Sequence, residues 1–187
     1  MAQYYYTVAA LPYLNFDAPL PLSKEEFLDF CKSTLTEEDW NLLESVSLFG
    51  EEKTSLPLLT SWHKWERAFR SELARLRAGK LGMDTESLPR VSAESARIQE
   101  TARLVFNEPS PAQAELLILK TYWDILEDLE VNHFFDLEKL IVYYLKLQVL
   151  ELRAARNRIE GEKNFTSLYH RIRDAQQNPI MERWSTQ

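Results

Sequence analysis

Glu130 and His133 form a Glu-x-x-His, the spacing that turns a carboxylate and an imidazole to one face of a helix. Helical di-metal proteins use two such motifs plus two further glutamates. The other histidines do not supply a second one: His63 follows Thr60 and His170 follows Ser167 at that distance. Asn132-His133 also sits where the helical pattern stops, so a helix-end histidine near the negative pole of the dipole is the better account. No metal ligand is assigned. Cys31 has no neighbouring His and falls on the apolar side of its helix, which reads as a core thiol rather than a nucleophile. The four glycines do not fall in phosphate-loop or dinucleotide spacing, and no Ser–His–acid set stands out. Catalytic and cofactor-binding residues are therefore assigned to none.

What remains is charge beside aromatic rings. Arg67, Arg70, Arg75 and Arg77 follow Trp62 and Trp65; Arg153, Arg156, Asn157 and Arg158 follow Tyr143 and Tyr144. Packed aromatics with arginine stems over them make core, while arginines turned outward beside aromatics make an interface. The rings read as core and these eight residues as a candidate interaction surface. Between Leu140 and Leu150 only Lys146 and Gln148 interrupt an apolar run, so that helix has almost no face for water. Glu151, at its foot, is the candidate member of a partly buried ion pair with a basic residue of a neighbouring helix, because an unpaired buried charge costs several kcal/mol. The acidic run Asp124, Glu127, Asp128, Glu130 reads as a solvated helix face, with a docking surface for a basic partner as the alternative.

The elements that must position these groups are helices. Ser23-Lys24-Glu25-Glu26 is a capping box and Thr36 caps a second short helix. Leu58 to Ala78 carries Trp62, Trp65, Phe69, Leu73 and Leu76 at intervals of three and four, with Gly79 and Gly82 as stop signals. A weaker amphipathic stretch spans Ser92 to Phe106. Ser110-Pro111 opens a helix running to about Glu130, Asp136 caps the next, and Phe165 to Gln177 suits a last one. The aromatic opening around Tyr4-Tyr5-Tyr6 is open between a short strand and a buried first helix. The fold class is all-α, a multi-helix bundle of about six or seven helices. Residues 1–57 form a segment with two short helices, and 58–187 the main bundle.

Length, a hydrophobic share of 45% and a single cysteine suit one packed domain in a reducing compartment. The net charge of −7 opposes non-specific nucleic-acid binding, although residues 61–80 and 152–187 are locally basic. No run reaches the ~20 apolar residues of a membrane span. A cytoplasmic protein without direct membrane insertion is expected.

Three stretches resemble a known family: Tyr4 to Pro12, Trp65-Glu66-Arg67 with Leu73 to Ala78, and Phe135 to Lys163, which carries Tyr143, Tyr144, Leu145, Leu147, Leu150, Glu151, Arg156, Asn157 and Arg158. They look like the C subunit of V-type (archaeal/vacuolar-type) rotary ATPases, and more closely like a small bacterial family encoded beside V-type ATPase genes. The resemblance implies a non-catalytic part of that complex, peripheral to the membrane, coupling or docking at the central stalk and membrane rotor ring through helix surfaces. Its partners would be other V-type ATPase subunits. The reading that needs no rotary complex is a stand-alone cytoplasmic helical adaptor or regulatory protein-interaction module.

Overall fold

The structure is a computed structural model that describes residues 4–50, 56–83, 96–156 and 168–169. Among them lie seven helices and no strand: α1 (Tyr5–Ala10), α2 (Lys24–Lys32), α3 (Glu37–Ser45), α4 (Pro57–Lys80), α5 (Ala96–Asn107), α6 (Pro111–Glu130) and α7 (Leu137–Ala155). The all-α expectation holds, and the aromatic opening resolves as helix α1. The chain divides into two compact units, Met1–Leu152 and Arg153–Gln187. Position 57/58 therefore lies inside the first unit, and all three short helices precede Pro57.

Helix starts follow their capping chemistry. Ser23 Oγ accepts from the Glu26 amide while Glu26 reaches back to the Ser23 amide, closing the capping box. Thr36 and Ser110 accept from Asp39 and Gln113 in the same way, and Asp136 Oδ1 accepts from the Lys139 amide at 3.0 Å. Gly82 has φ +68°. It ends α4 in a Schellman motif, with Met83 N–H on Ala78 C=O and Gly82 N–H on Gly79 C=O.

Helix α7 is the axis of the first unit. Every residue from Leu140 to Leu147 is buried, as are Val149 and Leu150, which accounts for its near-continuous apolar sequence. Phe27 of α2 stacks on Tyr143 and Tyr144, centroids 5.2 and 5.5 Å away. The two polar interruptions each have a partner. Gln148 Oε1 accepts from the Leu48 amide at 2.9 Å and its Nε2 donates to Val46 C=O at 3.3 Å, so one side chain satisfies a loop backbone between α3 and α4. Lys146 pairs with Glu130. On the other side of the core α4 packs along α5, and both meet α6. There Trp62, Trp65 and Phe69 stack in sequence around the edge of Tyr122, and Trp62 Nε1 donates to Leu48 C=O at 3.1 Å. Gly50 lies against His63, where a Cβ would come within 2.7 Å of the ring; only glycine allows that approach.

Candidate functional site: the cleft at the α6–α7 turn

Helix α6 ends at Glu130 and the chain reverses through Asn132, whose φ of 73° is a left-handed conformation that asparagine tolerates. The reversal sets the foot of α6 beside the start of α7. Lys139 and Lys146 lie seven residues apart, two turns on one face of α7, and both ammonium groups bond the Glu130 carboxylate, one to each oxygen. Burial pushes the Glu130 carboxyl up, but hydrogen bonds from Lys139 and Lys146 and their charges outweigh it and hold it below its ordinary value. Lys146 also lies 5.0 Å from the Trp123 ring centre, a cation–π contact on its desolvated side. Trp123 Nε1 donates to Glu127 Oε1 at 2.7 Å, and Tyr143 OH donates to Pro12 C=O at 2.9 Å.

These groups line a cleft of about 380 Å³, with Glu127, Glu130, Lys139, Lys146 and Tyr143 on one wall and the Val8–Leu14 stretch on the other. Its two carboxylates and two ammonium groups sum to no net charge, with both ammonium groups on Glu130. A ridge of exposed aromatics stands beside it. Tyr6 and Tyr13 are each over 80% exposed, and Tyr5, Phe134 and Phe135 are also exposed. Tyr5 meets Phe135 at 4.6 Å between centroids, and the Tyr4 amide donates to Phe135 C=O at 2.5 Å. Contiguous exposed apolar patches can mark contact surfaces.

The residues assigned from sequence are distributed differently. Arg70 is committed to Glu66 of its own helix, donating through Nε at 2.8 Å and Nη2 at 2.5 Å, with its guanidinium 5.0 Å from the Phe49 ring centre. Tyr122 OH donates to the same Glu66 oxygen at 3.2 Å. Arg75 forms a two-pronged pair with Glu72, at 3.0 and 2.6 Å. The Arg75 hydrogen bond draws the Glu72 carboxyl below its usual range against the opposing effect of burial, with the charges of Arg75 and Arg103 adding to it. Both glutamates are buried, so these two arginines cover internal carboxylates as well as facing solvent. Arg67 and Arg77 are exposed. Arg153 is half-buried and Arg156 exposed at the end of α7; Asn157 and Arg158 lie outside the described residues, as does all of the Phe165–Gln177 helix except Leu168 and Tyr169, which are helical.

Glu151 accepts from the Lys24 amide at 3.1 Å and pairs with its ammonium at 3.4 Å. The charge of Glu151 is the first cause of a raised Lys24 pKa. The acidic run on α6 is largely paired rather than merely solvated: Asp124 with Lys120 and Asp128 with Arg97, each at 3.1 Å. Glu130 does not face His133. The imidazole Nδ1 instead lies 2.7 Å from Asp136 Oδ2. Cys31 is fully buried, and burial pushes its thiol up to about 12, far from a thiolate nucleophile.

Sequence reasoning missed the Glu130–Lys139–Lys146 triad. The usable sign was the seven-residue lysine spacing on an otherwise apolar helix, which demands a shared anion on a neighbouring element.

A family model described as a protein of unknown function (DUF2764) matches residues 1–56, the stretch holding α1 to α3. No curated protein and no solved structure matches the chain significantly. Among the described residues no helix is long and apolar enough to cross a membrane.

Proposed function

We propose that this chain is a non-catalytic subunit or accessory protein of a V-type rotary ATPase, docking at the central stalk or membrane rotor ring through helix surfaces. One observation carries the reading. Two of the stretches that resemble V-type ATPase C-like sequences, Tyr4–Pro12 and the block beginning at Phe135, are far apart in the chain yet meet at the exposed aromatic ridge, through the Tyr4–Phe135 backbone bond and the Tyr5–Phe135 ring contact. A resemblance that converges on a surface rather than only on the core points to contact with a partner.

Docking here would bury Tyr6, Phe134 and Phe135 in the partner, with the polar rim of the cleft alongside. The α4 arginines contribute less, because Arg70 and Arg75 already serve Glu66 and Glu72. A photo-crosslinking residue at Tyr6, which is 87% exposed, tests this in native membranes. Capture of a central-stalk or rotor-ring subunit is the expected result. Absence of every V-type ATPase subunit from the crosslinked products, with the protein expressed and folded, overturns it and favours a stand-alone adaptor.

A further inference from the structure

The cleft at the α6–α7 turn holds opposite charges that are not paired one to one. Glu130 carries the ammonium groups of both Lys139 and Lys146, so that triad has one positive charge in excess. The Glu127 carboxylate is in no ion pair among the described residues, and its partner is the uncharged Trp123 N–H. We propose that the cleft binds a free α-amino acid with an apolar side chain, its carboxylate on Lys139 and Lys146 and its ammonium on Glu127.

A lysine ammonium has three N–H donors and no acceptor. One N–H of each lysine goes to Glu130, and the Lys146 ammonium also lies over the Trp123 ring. Neither ammonium makes a further hydrogen bond among the described residues, although both lysines line the cleft. The Lys146 side chain is only 8% exposed, so bulk water reaches its remaining donors poorly. Buried donors of a cation left without acceptors are costly. A carboxylate in the cleft supplies those acceptors, and the excess positive charge of the triad favours an anionic one.

A single indole keeps the two signs apart. Trp123 offers its N–H edge to Glu127 and its ring face to Lys146, 5.0 Å from the ring centre. Both charged groups are thus anchored on a buried ring instead of collapsing onto each other. A simple carboxylate would leave Glu127 unanswered, and a simple amine would leave the lysine donors unanswered. A zwitterion answers both and matches a cleft without net charge.

The opposite wall is apolar, formed by Val8, Leu11, Pro12 and Leu14, and a ligand side chain set against it is removed from water. Tyr143 OH donates to Pro12 C=O at 2.9 Å, which ties that wall to α7 before any ligand arrives. The volume of about 380 Å³ lies at the lower end of the roughly 300–1,000 Å³ of small-molecule sites. The site stands whether or not the aromatic ridge meets a rotary ATPase.

Calorimetric titration of leucine into the full chain tests the site. One leucine per chain is expected. Binding should be weaker by about tenfold or more for 4-methylpentanoate, which lacks the ammonium, and for 3-methylbutylamine, which lacks the carboxylate. Glu127→Gln, at an exposed position, should weaken leucine by about tenfold and leave 4-methylpentanoate unchanged. The methyl resonances of Val8, Leu11 and Leu14 should shift as leucine is added to the unmutated protein. No saturable binding of leucine, valine or phenylalanine at millimolar concentration overturns the proposal. So does 4-methylpentanoate or 3-methylbutylamine binding as tightly as leucine, equal leucine affinity in the parent and Glu127→Gln, or unmoved methyl resonances. The ligand comparison on the unmutated protein decides the matter if the variant fails to fold.

Discussion

On α4 the buried carboxylates Glu66 and Glu72 are neutralised by arginines four and three residues further along the same helix, whereas Glu130 at the end of α6 is neutralised by two lysines of the next helix. The α4 pairs form as soon as the helix does and leave part of each guanidinium in water. The Glu130 triad exists only once α6 and α7 are docked, and it removes Lys146 from water almost entirely. Local pairs tune a surface, and the shared carboxylate locks two helices in register. The same difference separates what is exchangeable from what is structural in this molecule.

The sharpest way to break the comparison is Glu130→Ala. Removing the common anion strands a buried ammonium, so a loss of about 3 kcal/mol in urea denaturation is expected. A loss under about 1 kcal/mol would mean that Lys146 reaches water and the triad is no lock. The pH dependence carries the same information. The Glu130 and Glu72 carboxyls titrate below their ordinary value of 4.5 in the folded state. The stability they contribute is fully present above that value and is lost as pH falls through the lower folded values. Acid unfolding curves should show this decline, and Glu130→Gln should flatten it.

Gln148→Leu comes next. It leaves Leu48 N–H and Val46 C=O without their shared partner, and about 2 kcal/mol of destabilisation is expected in thermal melts. On α4, Arg75→Ala exposes the need of the fully buried Glu72 and should cost about 1–2 kcal/mol. Arg70→Ala should cost about 0.5 kcal/mol, because Arg70 is more exposed and Tyr122 still donates to Glu66. Equal losses at the two arginines would erase the distinction between a covered carboxylate and a rim pair. Arg77→Ala, at an exposed position, should stay within about 0.5 kcal/mol of the parent.

Much of the architecture is legible in the residues. The Ser23–Glu26 capping box, Pro111 at a helix start, Gly82 past a helix end and the three–four spacing of Trp62, Trp65 and Phe69 are local, and local chemistry alone sets them. The uniform hydrophobicity of α7 likewise announces a helix surrounded by others. The pairings are less legible. Arg70 and Arg75 stand at pairing distance from glutamates, but only the fold shows that Glu66 and Glu72 are buried and that these pairs cover them. Glu151 ends an apolar run and so needs a partner, yet nothing local designates Lys24, over a hundred residues away. His133 attracts notice through Glu130, while its actual neighbours Asp136 and Glu138 lie across a turn whose shape depends on the left-handed Asn132.

The position of α7 at the centre has a consequence for synthesis. Phe27, the Val46–Leu48 loop and Lys24 all bond or stack onto residues between Tyr143 and Glu151. While the ribosome is still making α4 to α6, the helices encoded first therefore lack the α7 face on which they settle. At about 5–20 residues per second they wait for several seconds with Phe27, Leu43 and Leu48 uncovered. The apolar residues of the first helices thus stay without their α7 contacts until that helix emerges.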